Sequence, residues 1–176
     1  TNMGGVDMRR LGASDLEVGP IAYGCWRFAG TTTADAHAKV EAALDRGMTL
    51  IDTADIYGVD SPAGFGGAES LLGDVLAAVP ALRDRMVLAT KGGIVPGVPY
   101  DSSPAHLRDA CEASLRRLRV DTIDLYQVHR PDLLAHPADV AETLIDLREA
   151  GKVREVGVSN HTPAQVAALR AHLGDV

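Results

Sequence analysis

Lys91 stands in the run LATKGG, residues 88–93, where small and apolar neighbours suit a buried strand end and a lysine is costly unless its charge is met. Residues able to meet it recur at the ends of other apolar runs: Asp52, Asp55 and Tyr57 in IDTADIYG, Gln127 and His129 in DLYQVHR, Ser159 and Asn160 in GVSN. A tyrosine, with an ordinary pKa of about 10, is a poor acid at neutral pH unless a nearby cation favours its phenolate. A lysine ammonium against the phenol does that, and a carboxylate such as Asp52 keeps the lysine charged despite burial. A neutral histidine beside them donates a hydrogen bond to a substrate carbonyl and orients it. Together these types suit proton donation to a carbonyl oxygen. Taken singly, each also has a structural reading. Asp52 then bonds loop amides, Tyr57 packs with a wet hydroxyl, Lys91 reaches out of a strand end and His129 is a satisfied core histidine, and structural ion pairs perturb titration too. What favours a site is that four ionisable residues stand at matched strand ends.

Those ends close five apolar runs, in PIAYGCW, MTLIDTADIY, RMVLATKGG, TIDLYQVHR and VREVGVSN, each passing into polar or glycine-rich sequence as strands buried on both faces do. Helical patterns separate them. TPAQVAALRAHLG opens with Thr162 as N-cap, Pro163 at the first helical position and Gln165 completing a capping box. Another helix opens at Ser103 and Pro104, and helices over 33–46 and 137–150 stop at Gly47 and Gly151. Strand and helix in alternation predict right-handed crossovers and a parallel sheet covered by helices. Ahead of them, MRRLGASDLEVGP reads as a β-hairpin turning near Gly12, and the longest irregular stretch is the glycine-rich loop 58–67. A doubly wound sheet would want GxGxxG straight after the first strand, which YGCWRFAGTT lacks. The pattern therefore favours an α/β fold of the (β/α)8 TIM-barrel type, whose loops after the strands share one face and carry its chemistry.

With 176 residues and no low-complexity linker, residues 1–176 read as a single domain with a sizeable core. The net charge of -7 argues against broad nucleic-acid binding and against docking on anionic membranes, which favours a small-molecule role. Cys25 and Cys111 fall in different elements without zinc spacing and read as reduced thiols. The opening TNMGGVDMRR has no apolar run, and no stretch approaches the ~18 residues of a membrane span, so the expected location is cytoplasmic.

IDTADIYG, ATKGG, DLYQVHRPD and GKVREVGVSN, in that order, resemble the aldo-keto reductase superfamily of barrel enzymes, and AESLLGDVL is similar to the segment following the tyrosine loop there. The resemblance runs from about residue 8 to the chain end. It implies a catalytic tetrad of Asp52, Tyr57, Lys91 and His129 for reducing a small aldehyde or ketone. Tyr57 is then the general acid, Lys91 paired with Asp52 lowers the tyrosine pKa, and His129 orients the carbonyl. It also implies NADPH as cofactor, with NADH open, and no metal. Ser159 and Asn160 would hold the nicotinamide carboxamide, while Gly24, Cys25 and Trp26 would line the cofactor ribose and substrate pocket. The family's barrel has eight strands in ~250 residues, and five are present here. The aldo-keto-reductase-like domain is therefore expected to be truncated on its C-terminal side, with an open sheet edge through which the chain associates with itself or another chain, or else is poorly ordered and aggregates.

Two other classes compete with this reading. One is a nicotinamide-dinucleotide-binding module with weak or no turnover. The other is a metal-dependent barrel hydrolase using Asp52, Asp55, His129 and His161, which leaves Lys91 and Tyr57 without a role.

Overall fold

In the computed structural model, residues 7–174 are described; residues 1–6, part of the opening stretch without an apolar run, lie outside them. A small antiparallel hairpin comes first, β1 (Arg9–Arg10) against β2 (Glu17–Val18), with Arg9 opposite Val18. Gly12 lies in its turn, as the sequence suggests. Then strand and helix alternate: β3 (Tyr23–Gly24), α1 (Thr33–Asp45), β4 (Leu50–Asp52), α2 (Gly67–Ala78), a 3₁₀ turn over Pro80–Arg85, β5 (Val87–Gly92), α3 (Pro104–Leu118), β6 (Ile123–Val128), α4 (Pro137–Glu149), β7 (Val153–Val158) and α5 (Pro163–Leu173). The strands β3 to β7 form one parallel sheet in the order β3-β4-β5-β6-β7. This is five-eighths of a (β/α)8 barrel, an incomplete one, with the hairpin as a separate sheet.

The helices begin and end where their local chemistry says they should. Thr32 caps α1 by accepting from the Asp35 amide at 3.1 Å, Ser103 caps α3 from His106, and Thr162 and Gln165 close the capping box of α5. Proline opens α3, α4 and α5, where its missing N–H has no helical partner to lose. Chain reversal after α1 and α4 uses Gly47 and Gly151, both with positive φ. Helix α2 lacks such marks: its N-cap is Gly66, with no side-chain cap, and it is set in place by tertiary bonds instead.

The core lies between the sheet and its helices. Ile51, Leu88 and Ile123 of the strands pack with Leu44, Leu72, Leu107, Leu118 and Leu144 of the helices, all buried. Each such side chain removed from water stabilises the fold by roughly 1.5–3 kcal/mol. Strand β5, with neighbours on both sides, is buried along nearly its whole length, whereas β7 from Glu155 to Val158 is only half-buried. Among the described residues no helix is long and apolar enough to cross a membrane.

Candidate functional site

Backbone hydrogen bonds stitch the strand ends together and thereby converge their side chains. The Cys25 amide donates to the Asp52 carbonyl at 2.8 Å, Asp55 to Lys91 at 3.0 Å, His129 to Gly92 at 2.9 Å and Ser159 to Val128 at 2.9 Å. After β4 the chain turns sharply, and the Ala68 amide at the start of α2 donates to the Tyr57 carbonyl at 3.0 Å. Gly58 is required in that turn. Its φ is +107°, and a Cβ there would lie 2.7 Å from the Gly64 carbonyl oxygen.

Lys91, only 5% exposed, directs all three ammonium donors to protein acceptors. Nζ donates to Asp52 Oδ2 at 2.7 Å, to the Thr53 carbonyl at 2.8 Å and to Tyr57 Oη at 3.3 Å. Because the phenol oxygen accepts from the ammonium, its own proton is free to point elsewhere. The ammonium also stands 4.9 Å from the centre of the Tyr57 ring, on its electron-rich face. His129 meets the same ring edge-on, centroids 5.8 Å apart at 78°. Burial, then the charges of Lys91 and Arg130, push its imidazolium pKa down to about 4, so the ring is neutral at physiological pH. Its Nδ1 is buried without a hydrogen-bond partner among the described residues. Tyr57 and His129 both line a cavity of about 470 Å³ whose mouth is formed by the loops after β3 and β4.

The residues after β7 sit one strand away. Asn160, with a φ of +61°, donates from Nδ2 to the His129 carbonyl and to Ser159 Oγ, each at 2.9 Å. At the end of β3, Gly24 is exposed with open space where a Cβ would stand, and beyond it Trp26, 69% exposed, lines the 470 Å³ cavity. Cys25, expected on the pocket wall, is fully buried in the core instead; burial, then the charge of Asp52, raises its thiol pKa to about 12, and its amide is bonded to the Asp52 carbonyl. The strand ends at Gly24, and the alternation that would have faced Cys25 outward ends with it.

Asp55 likewise leaves the face on which its sequence neighbours lie. It is 1% exposed, and its carboxylate oxygens have no side-chain hydrogen-bond partner among the described residues. Burial first, then the nearby Glu69, raises its pKa to about 7. Glu69 was not anticipated from the sequence. Fully buried on α2, it accepts from Thr90 Oγ1 at 2.5 Å and from Arg117 Nε at 2.7 Å, with the second guanidinium nitrogen at 2.6 Å. The available signal was an acid inside the otherwise apolar AESLLGDVL. Asp52, Asp55, His129 and His161 share no centre: Asp52 is bound to Lys91, Asp55 is buried beside Glu69, and His161 faces the Ser159 carbonyl at 2.8 Å. Among the described residues no group of three or more His, Cys, Asp or Glu side chains is placed to hold a metal.

A wider cleft of about 750 Å³ opens at the opposite ends of the strands. Its buried carboxylate, Asp124, is already bound by Arg83 at 2.8 Å, by Arg154 at 3.2 Å and by the Leu88 amide at 2.8 Å. That end reads as structural.

The chain is 60% identical over 169 residues to the 6-dehydroglucose reductase of Novosphingobium aromaticivorans, covering 95% of this chain and 56% of that protein. It is 39% identical to the 6-dehydroglucose reductase of Agrobacterium fabrum, covering 96% of this chain and 59% of that one. Among solved structures, an aldo-keto reductase from Bacillus halodurans in its holo form superposes with a TM-score of 0.81 at 30% identity, over 98% of this chain and 56% of that structure. The glycerol dehydrogenase of Gluconobacter oxydans gives 0.79 at 37% identity, over 94% and 52%. The chain thus spans about half the length of the relatives it matches. Residues 20–175 match the sequence model of the aldo/keto reductase family. On sequence and fold together, the chain belongs to the aldo/keto reductase family.

Proposed function

We propose that this chain carries the catalytic centre of a nicotinamide-dependent reductase that converts an aldehyde or ketone to an alcohol, with NADPH as the dinucleotide. The observation that supports this most directly is the Lys91 ammonium, its three donors shared among Asp52, Thr53 and Tyr57 at the wall of a cavity. A bound nicotinamide dinucleotide would supply the hydride. Tyr57, whose oxygen accepts from Lys91, donates its phenolic proton to the carbonyl oxygen as negative charge develops there. Lys91 then stands against the phenolate, and Asp52 balances the ammonium so that it stays charged in a nearly dry position. His129, neutral and with Nδ1 turned into the protein, presents its other ring nitrogen to the cavity and donates to the same carbonyl oxygen.

The remaining strand ends fit the nicotinamide end of such a cofactor. Ser159 keeps its hydroxyl proton and Asn160 its amide oxygen uncommitted among the described residues, a donor and an acceptor that match a carboxamide. The open space at Gly24 admits a ring where a side chain would obstruct it. The relatives named as 6-dehydroglucose reductases bring a sugar carrying an aldehyde as the proposed substrate class. Tyr57→Phe tests the assignment, because it removes the proton while keeping the ring. NADPH oxidation with an aldehyde should fall by ~10²-fold or more with NADPH binding retained; undiminished turnover would remove Tyr57 from the role.

We also propose that the chain associates through the sheet edges at β3 and β7, each of which has one neighbouring strand among the described residues. Sedimentation of the purified chain checks this, and a compact monomer at micromolar concentration refutes it.

A further inference from the structure

The cavity in front of Tyr57 has mainly apolar walls, Trp26, Ile56 and Ile94 among them, but two charged side chains also line it: Arg27 from the loop after β3 and Asp60 from the loop after β4. Neither forms an ion pair or a side-chain hydrogen bond among the described residues, whereas the charges around the core, Glu69, Asp124 and Lys91, are all engaged. Ser61, which also reaches the cavity, already gives its hydroxyl to the Gly58 carbonyl at 2.7 Å. Two uncommitted charges of opposite sign therefore flank a space whose reactive end is fixed by Tyr57 and His129.

We propose that Arg27 and Asp60 determine specificity by selecting a neutral, polyhydroxylated carbonyl compound, Arg27 donating to its hydroxyl oxygens and Asp60 accepting from its hydroxyl protons. The proposal rests on reading this cavity as the substrate side of the reductase. The opposite signs carry the argument. A lone arginine would draw an anion and a lone aspartate would repel one, so the two together give an anionic substrate no advantage over a neutral one. A purely alkyl chain would leave both charges unpaired while narrowing their access to water, which costs affinity. A sugar hydroxyl is donor and acceptor at once and satisfies both. The flat, exposed face of Trp26 offers apolar surface for the ring carbons between them.

The test is binding to the intact chain, which needs no turnover. D-Glucose, 1-hexanol and gluconate are titrated separately while Trp26 fluorescence and ligand-observed NMR are followed. Glucose should bind saturably to the parent chain and better than 1-hexanol. Arg27→Met and Asp60→Asn should each lower the preference for glucose over 1-hexanol by ~10-fold, the scale of one hydrogen bond to a charged group. Asp60→Asn alone should tighten gluconate, since it leaves Arg27 unopposed. Absence of saturable glucose binding by both methods, or an unchanged glucose preference in both variants, overturns the proposal. Failure of the reductase reading would appear separately, as aldehyde-dependent NADPH oxidation indifferent to Tyr57→Phe.

Discussion

Of the ion pairs drawn largely out of water, Arg117 with Glu69 and Lys91 with Asp52 differ most usefully in what else each cation reaches. Arg117 grips a single carboxylate oxygen with two of its nitrogens, and Thr90 takes the other oxygen, so the strong bonds end within the cluster. Lys91 spends one donor on a phenol that lines a cavity. The first arrangement ties α2, α3 and β5 together. The second places a phenol at the wall of a cavity. Burial of a charge does not by itself separate a structural pair from a chemical one; under the proposed reading, a further hydrogen-bond partner at a cavity does.

Removing the cation from each pair should sharpen that contrast. Arg117→Met leaves Glu69 and Asp55 buried together without a compensating charge, and should cost ~3–5 kcal/mol of stability, read from the urea midpoint. A loss below about 1 kcal/mol would mean that the cluster relaxes to water and is not closed. Lys91→Met should affect stability less, because Asp52 keeps 27% of its side chain exposed and can be hydrated. Its rate of NADPH oxidation with an aldehyde should nevertheless fall by ~10²-fold. The reverse pattern, a badly destabilised chain that still turns over, would assign Lys91 to the fold and not to the chemistry.

Asp55→Asn probes the boundary between the two clusters with a smaller effect. In the folded chain Asp55 holds its proton up to about pH 7, whereas the unfolded chain releases it near the ordinary 3.8. The fold therefore binds the extra proton between those values, and stability contributed by this group falls as pH rises from about 4 to about 7, then stays level. The Asn variant should lack that decline and be more stable than the parent by ~1–3 kcal/mol above pH 7. Parallel stability curves for the two chains from pH 4 to 8 would show that Asp55 ionises like a solvated carboxylate.

How much of this was legible in the sequence depended on where a residue's partners lie. Asp52, Tyr57, Lys91 and His129 could be read together because residue type and strand-end position both point to them, and strand ends of a parallel sheet share one face. The helix limits at Thr162, Ser103, Gly47 and Gly151 were equally visible, since capping is local chemistry. Glu69 was not, because its partners Thr90 and Arg117 lie 21 and 48 residues away and only packing brings them together. Asp55 and Cys25 went astray for a different reason. Each falls where a short strand gives way to a turn, and the two-residue period that assigns faces stops there. Arg27 and Asp60 carried no signal at all, being loop charges whose interest comes from the cavity they share.

The order of the parallel sheet repeats the order of the chain, and this has a kinetic meaning. Among the described residues each parallel strand docks on the one made just before it, so each of these pairings closes a loop of a single intervening segment. Asp52 lies on β4, Lys91 on β5, and His129 directly after β6, the three strands that have neighbours on both sides. Fraying begins at the borders of a sheet, so opening of β3 or β7 leaves those three still joined to one another. On a ribosome the same order lets the Asp52 to His129 segment assemble as it emerges, with β7 arriving afterwards to cover a centre already laid down.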